Sequence, residues 1–185
     1  MNRKLLVAFL VVAITSFPGA FALAVDVDKQ EPEITLKKGM PAADGATLWN
    51  YISDTKPYTG WALWPGKGKL YKGQEPHGIL LTTYITKDAK KVIKGKKGMF
   101  KNGAIIVKEN YMPDKTLDAI TVMYKVKGFN PDAGDWFWAK YTPGGTVQAE
   151  GKPQGCINCH GVKKANDWVY TGEIKKVKPM SGSTY

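Results

Sequence analysis

The sequence predicts a mainly β (α+β) domain: an antiparallel β-sheet meander with a few short helices, closed by a C-terminal segment that carries a cysteine motif. Three observations carry that prediction. From Ile79 onward apolar residues recur with period two, the spacing that sends alternate side chains to opposite faces of a strand. Clusters of Pro, Gly, Asn and Asp separate the runs, and most are too short for the crossovers that parallel neighbours need. Helical spacing shows in only two short stretches.

Residues 1–24 stand outside the fold. Arg3 and Lys4 precede an apolar run from Leu5 to Phe17, and Ala22-Leu23-Ala24 supplies an A-x-A cleavage site, the pattern of a secretory signal peptide. The apolar run falls short of the roughly 20 residues of a spanning helix, and no second run of that length follows. The mature chain is therefore expected to be periplasmic or secreted, without stable membrane insertion.

Residues 25–41, acidic then basic and interrupted by Pro32, read as an extended lead-in to a domain over 42–176, with 177–185 as a flexible tail. Pro41 to Asp54 predicts one short amphipathic helix, with Asp44 as N-cap and Leu48, Tyr51 and Ile52 on its apolar side. Tyr58 to Gly78 has the composition of a loop, with Trp61 and Trp64 as packing anchors. Ile79, Leu81, Thr83 and Ile85 then alternate with Leu80, Thr82 and Tyr84 as the first strand. Lys87 to Gly95 predicts a basic helix capped by Thr86 and stopped at Gly95. Further strands are expected over Gly103 to Tyr111, Ala119 to Lys127 and Asp135 to Tyr141. A Gly-rich connection and the cysteine motif follow, and Asp167 to Glu173 reads as a closing strand. No internal repeat is visible.

The chain has 185 residues, with 27 Lys and Arg against 16 Asp and Glu. Arg3 is the only arginine, so once the signal is removed every basic side chain is lysine. Recognition of nucleic acid leans on the planar arginine fork, which the mature chain lacks. No nucleic-acid partner is expected. An electropositive face instead suits an acidic redox partner protein, whose encounter it would speed. Most of the lysines read simply as a solubilising surface.

Cys156-Ile157-Asn158-Cys159-His160 is a C-x-x-C-H motif, the attachment signature of c-type haem. Two thiols at this spacing reach the two vinyl groups of one porphyrin, and the following imidazole is placed to ligate the iron. The motif uses both cysteines and one of the two histidines, sits between Gly155 and Gly161, and lies in a chain read as exported. The C-terminal segment is thus read as holding one covalent haem c, with its iron on His160. Three rivals remain: a disulfide between Cys156 and Cys159, a thiol oxidoreductase, and a zinc site. The second lacks the alternating strands and helices of a thioredoxin-like domain; the third finds three ligands where four are needed. The sixth iron position is open between no ligand, His77, Met123 and Met112, while Met40, Met99 and Met180 look peripheral.

Lys108 interrupts an apolar strand. Alternation puts Ala104, Ile106, Lys108 and Asn110 on one face and Ile105, Val107, Glu109 and Tyr111 on the other. If the strand is interior, one of the two charges must be paired, neutralised or used; if it is an edge strand, Lys108 lies in water. Trp136, Phe137 and Trp138 fit core filling or the wall of a haem pocket.

From about Leu48 to Thr171 the chain resembles the cytochrome P-460 family. The resemblance rests on HGILLTTYIT, the basic helix after it, NGAIIVKENY, DWFWAKY, and GCINCH followed by DWVYT. It implies an exported, mainly β monohaem protein, often a homodimer, with His160 as proximal ligand. In catalytic members a strand lysine is bonded to the porphyrin and the haem oxidises hydroxylamine or handles nitric oxide; that role falls on Lys108. A related branch, the cytochromes c-prime-beta, lacks the cross-link and binds diatomic gases. Catalytic members also carry a distal arginine and a loop carboxylate. The mature chain has no arginine, and Asp114, Asp118 and Asp132 are the nearby carboxylates. Two functions are therefore expected to compete: a haem oxidoreductase acting on a small nitrogen species, or a non-enzymatic electron carrier or gas-binding haem protein.

Overall fold

The computed structural model describes residues 32–174, position 97 excepted. The expected signal peptide, the first part of the lead-in and the tail lie outside the described residues.

The domain is built on an antiparallel sheet of seven strands among the described residues. The strands are β1 (Ala62–Leu63), β2 (Tyr71–Lys72), β3 (Leu80–Ile85), β4 (Ile105–Tyr111), β5 (Leu117–Lys125), β6 (Trp136–Tyr141) and β7 (Val147–Gly151). Their order is β1-β3-β4-β5-β6-β7, with β2 also paired to β3, so the meander expected from sequence is present. Helices α1 (Gly45–Asn50), α2 (Lys87–Gly95) and α3 (Gln154–Gly161) complete the framework.

Both faces of the central strands are covered, which is why β3 to β6 read as nearly continuous apolar runs. On one face Leu48, Ile52 and Tyr58 pack against Tyr84, Ile105, Val107, Val122, Phe137 and Tyr141. On the other, Ala89, Val92 and Ile93 of α2, Cys156 and Ile157 of α3, and Trp168 pack against Ile85, Ile106, Met123, Trp136 and Trp138. Each buried Ile or Val contributes roughly 1.5–3 kcal/mol of transfer free energy, so neither layer is dispensable. Lys108 therefore lies on an interior strand between β3 and β5, and the edge-strand reading of it is set aside.

Several local expectations change. Asp44 does cap α1, its carboxylate accepting from the Thr47 amide at 2.8 Å, but the helix widens into a π turn over Tyr51–Thr55. Thr86 precedes α2 without a side-chain cap; its hydroxyl instead accepts from the Ile105 amide at 3.1 Å. The helix runs through Gly95, and the left-handed stop falls one residue later, on Lys96. The Tyr58 to Gly78 loop contains β1 and β2, too short to register as alternation.

The closing strand expected over Asp167 to Glu173 is absent. Asp167 (φ 55) and Trp168 (φ 66) are both left-handed, which ends any extended run, and a 3₁₀ turn over Lys164–Asn166 precedes them. The last strand is β7, in the connection read as Gly-rich. It is a largely exposed edge strand, so its sequence carries no apolar face to betray it.

Candidate functional site

The motif residues sit on α3, which begins after Pro153 and is supported by a Gln154 to Asn158 side-chain bond of 2.6 Å. Cys156 and Cys159 are therefore nearly one helical turn apart, and both are thiols. Cys156 is half-buried against the sheet and burial pushes its thiol pKa up, while Cys159 is exposed.

His160 lies in the last turn of the helix, buried, with Nδ1 2.7 Å from the carbonyl oxygen of Trp168. A carbonyl only accepts, so Nδ1 carries the proton and Nε2 keeps its lone pair. Burial first, and the nearby Lys108 charge after it, hold the ring below its ordinary pKa against the opposing bond to Trp168. The ring stands edge-on to Tyr170 at 5.3 Å and lies 6.2 Å from His77 and 6.5 Å from Trp138 between centroids. Tyr170 is itself fixed by its hydroxyl, which donates to the Cys159 carbonyl at 2.8 Å.

The sheet supplies the facing wall. Register places Thr83, Lys108, Thr121 and Lys140 in one row across β3 to β6, and Ile85, Ile106, Met123 and Trp138 in the row two residues along. Desolvation lowers the Lys108 amine to a pKa of about 8, so near neutral pH part of it is uncharged. His77 joins this face: its Nδ1 lies 3.4 Å from Thr121 Oγ1, and burial, followed by the charges of Lys108 and His160, lowers its pKa to about 3. Tyr71 adds a hydroxyl contact of 2.7 Å to Thr83.

The residues present fit a haem held as the motif predicts. Two thiols sit one turn apart, and the neighbouring imidazole has one nitrogen engaged and one lone pair open, the arrangement that fixes a metal-binding histidine. Asn110 Oδ1 and Trp138 Nε1, in strand positions on this same face, are among the buried polar atoms without partners in the described residues.

Of the other sequence candidates, Met123 lies at the same face and is buried, whereas Met112 is 49% exposed beyond the end of β4. Trp136 and Trp138 fall on the site side and Phe137 on the other, so the aromatic run is divided between wall and core. Asp118 is exposed and, by alternation with Thr121, belongs to the opposite face of β5; Asp114 and Asp132 are exposed on turns. His77, rather than any of these carboxylates, stands beside Thr121 on the site face. Sequence reasoning missed Tyr71, Trp168 and Tyr170 as site neighbours. Their placement comes from β2 pairing and from the left-handed bend, neither of which leaves a periodic trace.

Among the described residues every strand pairing is antiparallel and no parallel βαβ unit occurs, so a thioredoxin-like redox site finds no support. Among the described residues no helix is long and apolar enough to cross a membrane. The family model described as Cytochrome P460 matches residues 58–171, from the turn before β1 to the segment after α3. No curated protein matches the chain.

Proposed function

The chain belongs to the cytochrome P460 family, and is thereby a haem cytochrome of that type; from that premise we propose that it is an exported, c-type monohaem oxidoreductase acting on hydroxylamine or nitric oxide. Cys156 and Cys159 form the thioether bonds, and His160 Nε2 donates to the iron. When bound, the haem supplies a one-electron redox couple and a coordination position for a small nitrogenous ligand.

The observation that carries this reading is Lys108, on an interior strand of the face toward which His160 is turned, with its amine lowered to about 8. A neutral amine is a nucleophile, and Lys108 is the position for the extra covalent bond to the porphyrin. Forming that C–N bond removes two electrons and two protons, so it needs a two-electron oxidant such as hydrogen peroxide. His77, kept neutral by burial, offers a ring nitrogen for a hydrogen bond to bound substrate; with its pKa lowered to about 3 it orients the substrate rather than taking its proton. The polar row of Thr83, Lys108 and Thr121, with His77 set against Thr121, weighs against an apolar gas-binding pocket.

A second reading, a non-enzymatic electron carrier, draws on α2. Lys87, Lys91 and Lys94 stand exposed on it, while Ala89, Val92 and Ile93 beneath pack into the cluster that holds Cys156 and Ile157. Such a surface suits an acidic redox protein. In that case Met123 or His77 fills the sixth position.

The test is the absorption spectrum of the purified protein, oxidised and reduced, with nitric oxide and hydroxylamine added, for wild type and Lys108→Ala. A reduced Soret band far to the red of ordinary haem c, lost in Lys108→Ala, is expected. An ordinary six-coordinate spectrum, indifferent to both ligands and to the substitution, makes the protein a carrier. Cys156→Ser with Cys159→Ser should remove haem that survives denaturation, apart from any held through Lys108.

A further inference from the structure

A buried ion pair lies behind the site. Lys125, the last residue of β5, and Asp167 are 7% and 3% exposed, with Nζ 2.6 Å from Oδ1. Taking two charges out of water costs several kcal/mol per ion, so such a pair is a poor source of stability and its presence calls for another role.

The backbone it serves supplies that role. Asp167 and Trp168 are consecutive left-handed residues with side chains, at φ 55 and 66, a backbone conformation that persists only where its surroundings hold it. The sheet and the segment leading into β4 hold the strained pair from several sides. Beyond Lys125, the Phe100 amide donates to Asp167 Oδ2 at 2.9 Å, and Trp136 Nε1 donates to the Asp167 carbonyl at 2.9 Å. Lys125 Nζ lies 4.8 Å from the Trp136 ring centroid, so two of the anchors brace each other. The product of this bend is the Trp168 carbonyl, set 2.7 Å from His160 Nδ1.

We propose that the Lys125–Asp167 pair is a positioning device for His160: it fixes the left-handed bend that aims the Trp168 carbonyl at Nδ1, and thereby sets the tautomer and donor strength of Nε2. This rests on His160 being the iron ligand. An acceptor held on Nδ1 makes Nε2 the stronger donor, which favours ferric over ferrous iron and keeps the reduction potential low.

Two double variants test it. Lys125→Met with Asp167→Ala removes the pair and disfavours φ 55; Lys125→Met with Asp167→Gly removes the pair but suits that backbone. In the haem-loaded protein the Ala variant should show a raised midpoint potential and a lowered iron–histidine stretching frequency by resonance Raman, with the Gly variant in between. The ring ¹⁵N shifts of His160 in haem-free protein give the same comparison without the cofactor. They should report one tautomer in wild type and an average of two in the Ala variant. A folded variant of either kind with unchanged ring shifts overturns the proposal. Unchanged potential beside altered ring shifts overturns its claim on the iron. Wild-type protein that loads no haem, yet gives the expected ring shifts, leaves the positioning role standing and refutes the iron-ligand reading alone.

Discussion

Lys108 and Glu109 are neighbours in sequence and opposites in fate. Alternation sends Lys108 to the site face and Glu109, 6% exposed, into the other layer. There the Glu109 carboxylate accepts from Tyr58 Oη at 3.0 Å and Tyr111 Oη at 2.7 Å. Burial, reinforced by the carboxylate, holds both phenols above their ordinary pKa. Glu109→Ala strands two phenols at once and should lower unfolding free energy by about 2–4 kcal/mol in urea titration. Tyr58→Phe removes one bond and should cost about 1 kcal/mol. That these two charges point apart was legible in the sequence. That both faces are covered was not, because what covers one of them, α1 and Tyr58, comes from a distant segment.

At the scale of elements, legibility followed apolar content. The four long strands and α2 were found because each buries a periodic face, and α2 is bounded as expected from Lys87 to Gly95. The motif Cys156–His160 was readable as a string, although its helix was not, since α3 has hardly any apolar face. β7 and the bend at Asp167 escaped because one is polar and the other is held by tertiary bonds. Charge on α2 gives a second prediction. Lys87→Glu, Lys91→Glu and Lys94→Glu together replace exposed side chains, so stability should change by about 0.5 kcal/mol or less per site. Electron exchange with anionic ferricyanide should slow at low ionic strength and recover its wild-type rate in about 1 M salt, as screening shortens the reach of the charges. A salt-independent difference between variant and wild type would dissociate α2 from encounter.

The described residues form one sheet sandwiched between two unequal covers. On the site side the cover is α2, α3 and the segment through Ile174. A chain ended at Gly151 keeps all seven strands of the sheet and α2 but loses α3, Trp168 and Ile174, so Met123, Trp136 and Trp138 lose part of their cover. It should bind a hydrophobic dye such as ANS and lose the single cooperative thermal transition expected of the intact domain. A cooperative melt without dye binding would mean that the sheet is self-sufficient. In the intact protein, the lead-in adds a further tie through the Thr35–Lys127 bridge beyond β5.

The placement of α3 after every strand also bears on biogenesis. If the chain is exported as proposed, threading from its N-terminus delivers β1 to β7 before its two thiols. All seven strands of the site wall then precede Cys156 and Cys159, and α3 with the segment through Ile174 arrives after them. Until they dock, Trp136 and Trp138 lack part of their cover, so on the proposed haem reading maturation would be a race between ligation of the cofactor and self-association of the waiting sheet.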